Sequence, residues 1–506
     1  MPPTPERPAL EVSFVDDPRV VKAAATEDYS THVVPLTWRS GRWSLAMAWG
    51  ALFSAMFWLY IAVASADAVG TPATIVGMTL SAVTYGVVNL VLSRYAARTG
   101  LTVALLSRRL FGVLGSALAP LIFAATAVYY GVFEGSIIAV ALQRYFGGEI
   151  KLWYLAVVLY ALPLAIGGVR VWLDKFNGVL LPLYVAGLVA VVVTATVKQG
   201  YPDDWLDSAP AGGSLPGWLA AYLIYMGVWI MMMYTMDYAR FGRAEDQVFH
   251  TNVTFGWVFY LCTFAVNGLI GIYLLRAWNI EGSETGVVDA FIRTLGFTGV
   301  LVIIVSQTRI NTANYYLAST NLEAFAARFL RVGLPRAAWV AVAGTIAYLL
   351  MLTDVLSYLL RALAWQGVFV TAWVAIALVH IAVRGADRDG LPEFRPLRLA
   401  PITAGAGAWV VASAIGITLT EQTANAVLAQ LAPLVTVALA AGLYWLALRF
   451  GPDPVRTTGG DPRDEVEDIW ETRVRCHACD RSYVAVEMDR TAQGEVVCSA
   501  CAADSR

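Results

Sequence analysis

The chain has 506 residues, 58% of them hydrophobic and only 14% charged, and its mean hydropathy is +0.62. Soluble domains carry about 25% charged residues, so this composition indicates a multi-pass membrane protein of the all-α class. The formal net charge is −2, and the basic residues are spread among loops, which argues against a nucleic-acid partner for the main body.

The chain opens on a polar tail, residues 1–40, which contains no signal-peptide core, so insertion falls to the first apolar run. A membrane-spanning helix needs about 20 largely apolar residues. Twelve runs qualify: 45–66, 73–93, 117–142, 152–169, 176–197, 215–236, 254–275, 296–325, 337–360, 363–383, 402–420 and 428–448. They are too long and too continuously apolar for a β-barrel, whose strands alternate over about ten residues. Together they define a transmembrane domain over 41–450. Arginine and lysine fall in alternate loops, at Arg39 and Arg42, Arg94 to Arg109, Arg170 and Lys175, Arg240 and Arg243, Arg328 to Arg336, and Arg384 to Arg398. That pattern predicts a cell-membrane protein with both termini cytoplasmic.

After Gly451 the composition changes. Residues 451–472 are rich in Pro, Gly and acids and read as a linker. Residues 473–506 carry Cys476, Cys479, Cys498 and Cys501, a CxxC, eighteen residues, CxxC pattern. This spacing lets two tight turns present four thiolates tetrahedrally, as in a zinc ribbon. Two disulfides are the competing reading, but a cytosolic location is reducing and favours zinc. A segment this short needs its metal to fold. His477 can stand in as a ligand, although the four cysteines already complete the set. A cytosolic protein partner is one possible use of such a scaffold.

Few ionisable residues interrupt the apolar runs: Glu134 in the third, Arg309 in the eighth and Asp354 in the ninth. Such residues usually line a cavity or pair with one another. Asp354 has Arg361 as its nearest candidate partner in sequence. Asp237, near the end of the sixth run, is expected to contact Arg240 or Arg243. In the eighth run, Gln307, Asn311 and Asn314 share one helical face, while Arg309 is rotated from Gln307 by roughly 200°. One side thus offers amides and the other a fixed cation. Tyr129, Phe133 and Trp229 supply aromatic surface nearby, suited to a flat ligand held by stacking.

Five stretches carry a family resemblance: VPLTWRSGRW before the first run, ADAVGTP after it, ARTGLTVALLSRRLFGVLGS before the third, TMDYARFGR after the sixth and INTANYYLASTNL in the eighth. Over residues 33–450 the chain resembles the nucleobase:cation symporter-1 family, permeases for cytosine, purines, uracil, hydantoins, allantoin and thiamine precursors. The resemblance implies a leucine-transporter-like fold, two inverted repeats of five helices plus two more, with broken first and sixth spans and a site completed by the third and eighth. It places the substrate-contacting asparagine at Asn314, with Asn311 next to it. It puts stacking aromatics at Tyr129 and Trp229, and puts Phe133, followed by Glu134, where some relatives have a glutamine. In sodium-coupled relatives, hydroxyl residues that help bind sodium fall where this chain has Thr308 and Arg309. A guanidinium repels a cation. The resemblance and the substitution together predict uptake of a small planar N-heterocycle with Arg309 in place of sodium, and Glu134 or Asp354 as the proton-coupling carboxyl. The rival for Arg309 is a plain salt bridge to a neighbouring carboxylate. At the level of the whole chain, the rival is a transporter-like sensor signalling through the ribbon. No nucleophile–base pair appears in the spans, so an enzyme is not expected.

Overall fold

The computed structural model describes residues 8–207, 213–280, 282–353, 355–422, 424–456 and 460–504. Asp354, named above as a coupling candidate, lies outside the described residues. Near the start, strand β1 (Val12–Ser13) precedes helix α1 (Pro18–Glu27). The Asp17 carboxylate caps α1, Pro18 occupies its first turn, and Asp28 at φ 49° ends it.

Helices α2 (Arg42–Trp49) and α3 (Phe57–Val69) are joined through a 3₁₀ turn at Gly50–Ser54, and the two arms bend by 44°. Next come α4 (Thr71–Thr99), α5 (Val103–Gly115), α6 (Leu118–Phe146), α7 (Ile150–Ala165) and α8 (Asp174–Gln199). A second broken pair, α9 (Gly217–Met226) and α10 (Ile230–Ala239), bends by 43°. The short helices α11 (Gln247–Phe249) and α12 (Trp257–Leu261) lead through π turns into α13 (Asn267–Trp278), and α14 (Glu284–Leu295) follows. The remaining apolar helices are α15 (Phe297–Phe325), α16 (Arg336–Met351), α17 (Val355–Val383), α18 (Ala404–Thr420) and α19 (Ala426–Phe450).

Among the described residues, six helical stretches are long and apolar enough to cross a membrane, and the two bent pairs raise this to eight. Three further apolar helices are shorter: α7, α16 and α18. Eleven of the twelve runs of the sequence overlap one helical stretch or bent pair, whereas the run 337–360 extends past the end of α16 at Met351 and reaches α17. Helix α15 lies deepest, packed along α6 and flanked by α7, α8, α14 and α16. Burial of polar residues on α15 is consistent with that position: Gln307, Arg309, Asn311 and Asn314 are all inaccessible to solvent. Glycines permit close crossings elsewhere. Cβ atoms at Gly77 and Gly86 of α4 would meet the backbones of α9 and α12 at 2.5 Å and 2.9 Å.

The expected contact between Asp237 and Arg240 is made through the Asp237 carbonyl, which accepts from Arg240 Nε at 3.0 Å, while among the described residues the carboxylate forms no ion pair within 4 Å with Arg240 or Arg243. That carboxylate accepts from the Val103 amide at 2.8 Å, capping α5, and from Asn321 at 3.3 Å. The orphan amides at the start of α5 give this carboxylate a partner. Arg240 also donates to the Tyr29 carbonyl. Arg361 pairs with Glu421, Nε to Oε1 at 3.0 Å.

Beyond α19 the chain does not run free. Arg395 clasps Asp461 through two bonds of 2.7 Å and 2.9 Å, and Arg388 reaches Asp461 and Asp464. The cysteine segment then forms β2 (Arg473–Arg475), β3 (Ser482–Val484), β4 (Asp489–Arg490) and β5 (Val496–Val497), ending in α20 (Ser499–Asp504). β4 and β5 pair with each other, while β1, β2 and β3 make one antiparallel sheet, so the two ends of the chain lie on the same face.

Candidate functional site

An interrupted helix leaves backbone groups that must find partners inside a protein. At the first break the partners come mainly from α15. Arg309 Nη2 donates to the Gly50 carbonyl at 2.8 Å, and Ser306 donates to the Ser54 carbonyl while its own carbonyl accepts from Ser54 Oγ at 3.1 Å. The Met56 amide donates to Gln307 Oε1 at 3.0 Å. Trp58 Nε1 takes the Leu52 carbonyl and Asn267 takes that of Phe53. One side of α15 thus holds the break open.

Gln307 also donates to the Glu134 carboxylate on α6, so its amide bridges α6 and the first break. Glu134 is 1% exposed and Arg309 0%. Among the described residues Arg309 forms no ion pair, and its Nε and Nη1 have no hydrogen-bond partner. Its neighbour Thr308 shares a 2.6 Å hydrogen bond with the Tyr160 hydroxyl. Further along, Tyr234 of α10 donates to Asn314 Oδ1 at 3.2 Å, and Asn314 Nδ2 to Asn311 Oδ1 at 3.3 Å. Asn311 Nδ2 is buried without a partner.

Two connected spaces lie between the breaks. The inner one offers about 20 Å³, room for a water molecule, and is walled by Leu52 and Phe57 from the first break, Val228 from the second, Tyr130 and Glu134 from α6, and Asn314. The outer one holds about 370 Å³ and shares Phe57, Tyr130 and Val228 with the inner, adding Tyr60, Trp229 and Gln430. Phe57 makes edge contacts with Tyr130 and Phe133, at 5.9 Å and 5.7 Å between ring centres.

Gln307 thus meets Glu134 and Asn314 meets Asn311, while Arg309 turns to the first break. Trp229 lines the outer space with its indole nitrogen unbonded, and Phe133 stands behind Phe57. On α6 the cavity wall is Tyr130; Tyr129 lines neither space. Tyr130 and Glu134 are four residues apart, so they share a helix face, and that signal was present in the sequence. Tyr234 was not singled out, because a tyrosine in an apolar helix looks like packing until its hydroxyl finds Asn314.

No family model and no curated protein matches the chain. Solved structures do. Mhp1, a nucleobase-cation-symport-1 family transporter in a closed conformation with bromovinylhydantoin bound, superposes with a TM-score of 0.66 at 16% identity, covering 90% of this chain and 99% of its own. A substrate-bound, outward-open Na+-coupled sialic acid symporter gives 0.61 at 13% identity, with 86% and 94% covered. MhsT in complex with L-phenylalanine gives 0.53 at 13% identity, with 82% and 99% covered. The fold is that of these transporters. At such identities the likeness is one of fold alone, the leucine-transporter-like arrangement.

A second site stands apart. The four cysteine Sγ atoms lie 3.6–4.1 Å from one another. Four thiolates at about 2.3 Å from a tetrahedral zinc would be separated by about 3.8 Å, so the donor set fits a metal. The Cys498 amide donates to Cys476 Sγ at 3.3 Å, as expected of a sulfur acting as an acceptor. His477 is not part of the cluster; its Nε2 lies 3.2 Å from Glu495 on the surface.

Proposed function

We propose that the chain is a secondary active transporter that imports a small planar N-heterocycle, a nucleobase such as cytosine or a purine or a related compound, by alternating access. The observation that carries this reading is the aromatic-walled space of about 370 Å³ beside the two helix breaks, lined by Phe57, Tyr60, Tyr130 and Trp229, which adjoins the small inner pocket edged by the Asn314 amide and the Glu134 carboxyl. Aromatic faces suit a flat ring, and an amide both donates to and accepts from its polar edge. Twelve spans, a cell-membrane location and cytosolic termini complete the proposal, supported by the loop arginines and by the shared face of the two chain ends.

Arg309 takes the role of a tethered cation in this reading. In transporters with broken helices, unwound carbonyls coordinate the coupling ion. Here the guanidinium already satisfies one such carbonyl, at Gly50, and no carboxylate of a described residue answers it. Transport is accordingly sodium-independent and driven by protons, with Glu134 as the carboxyl that loads and releases one. The ribbon holds a structural zinc through Cys476, Cys479, Cys498 and Cys501.

Thermal-shift screening against nucleobases, hydantoins and vitamin precursors tests the substrate class. A binder at about 100 times its Kd stabilises the protein by about 2.7 kcal/mol. Asn314→Ala is expected to weaken that binding by roughly 1–3 kcal/mol, or about 5- to 150-fold. A binder whose shift is unchanged in Asn314→Ala would remove this asparagine from the site.

A further inference from the structure

The ribbon is built into the rest of the chain rather than hung from it. Strand β1 completes its sheet, with Val12 opposite Val474 and Ser13 opposite Arg473. Arg475 N donates to the Glu11 carbonyl at 3.0 Å, Arg473 pairs with Asp16 at 2.7 Å, and the Ser482 amide donates to Asp17 at 3.1 Å. Glu487 of the ribbon accepts from the Val33 amide at 2.8 Å and lies 2.7 Å from His32, whose ring stacks on Tyr483 at 4.0 Å. Residues 8–33 are thus tied down at both ends by the metal-bearing segment.

That strap crosses one face of the helical body. Asp28 accepts from the Val169 amide at 2.6 Å, just before α8, and the Tyr29 carbonyl accepts from Arg240, just after α10. The chain then enters α2, the outer arm of the first broken helix. There Ser40 N donates to the Phe241 carbonyl at 2.7 Å, and Arg39 donates to the Ala97, Arg240 and Gly242 carbonyls. The ribbon also grips the body directly: Arg108 of α5 donates to Ser499 at 2.7 Å, and Arg398 to Asp489 at 2.9 Å. The same strap therefore joins the cysteine cluster to the arm that has to swing if this face is to open.

We infer that the metal-loaded ribbon is an intramolecular latch: it pins residues 8–33 across the face carrying both termini and so holds α2 against the end of α10. Loss of the metal unfolds the ribbon, frees the strap and unlocks that face. The inference rests on the alternating-access reading for its consequence, but the contacts that define it can be probed without transport.

The test is hydrogen–deuterium exchange on the full-length chain, zinc-loaded and after treatment with a zinc chelator, with metal content measured in parallel. A second preparation lacks residues 1–17 and carries Glu487→Ala, which removes β1, its ion pairs and the carboxylate that holds Val33 and His32, and leaves all four cysteines. Chelation should accelerate exchange in residues 18–33 and in α2 by about tenfold or more, as expected of a local opening rather than global unfolding. The shortened chain should show the same acceleration in α2 with zinc still bound. Faster exchange confined to 473–504 on chelation, or an unchanged α2 in the shortened chain, would overturn the latch. Uptake is measured on the same preparations: uptake with an unresponsive α2 sinks only the latch, whereas a responsive α2 with no uptake under any gradient sinks only the transport reading.

Discussion

Arg309 is a buried cation whose one hydrogen bond goes to a backbone carbonyl, a costly placement unless the charge itself is needed. Arg39 and Arg240 are also buried and held by carbonyls, but each bonds more than one, whereas Arg309 bonds one and, among the described residues, leaves Nε and Nη1 without a partner. Replacement by serine is therefore informative. Arg309→Ser places a hydroxyl beside Thr308 and releases the Gly50 carbonyl, restoring two neutral oxygens suited to a small cation. Uptake by this variant should rise with sodium at fixed pH, while the parent chain stays indifferent. A sodium-indifferent Arg309→Ser that still transports would mean that the arginine occupies no ion site. Destabilisation of about 1–3 kcal/mol is expected in either case, from the carbonyl left without a donor.

At the scale of elements, the positions of the two breaks came from the resemblance and not from local composition. GALFSAM, residues 50–56, has one glycine and no proline, and nothing in it forbids a helix. The interruption is tertiary: Ser306, Gln307 and Arg309 offer the unwound backbone the partners that a continuous helix would have supplied itself. For the same reason the polar pattern of α15 was legible as a lined face while its partners were not. The register on α6 shows a finer limit, because Tyr129 and Tyr130 are indistinguishable by type and only the i to i+4 relation with Glu134 selects the second. The packed course of residues 460–472 was hidden by their composition, since acids that read as a linker are held by arginines from a distant loop. Helix crossings can be tested separately. Gly77→Ala puts a methyl 2.5 Å from the Ala221 Cβ and the Tyr222 amide, so α4 and α9 must part. A loss of about 1–3 kcal/mol in thermal unfolding is expected, and an unchanged transition would show that this crossing yields easily.

For the molecule as a whole, the charged and aromatic groups sort into two assemblies with a mechanical link between them. The deep one, between the breaks, is where the proposal places a flat polar ring and one proton. The other, at the face with both termini, has the chemistry to hold a metal and, through residues 8–33, a grip on α2. The central claim concerns the first: a planar heterocycle moves through this site with a proton and without sodium. Uptake of radiolabelled nucleobase into proteoliposomes, with the sodium and proton gradients imposed independently, tests it most directly. The account predicts accumulation driven by an inward proton gradient, unchanged by sodium and no longer proton-driven in Glu134→Gln; accumulation that requires a sodium gradient and ignores pH would contradict it.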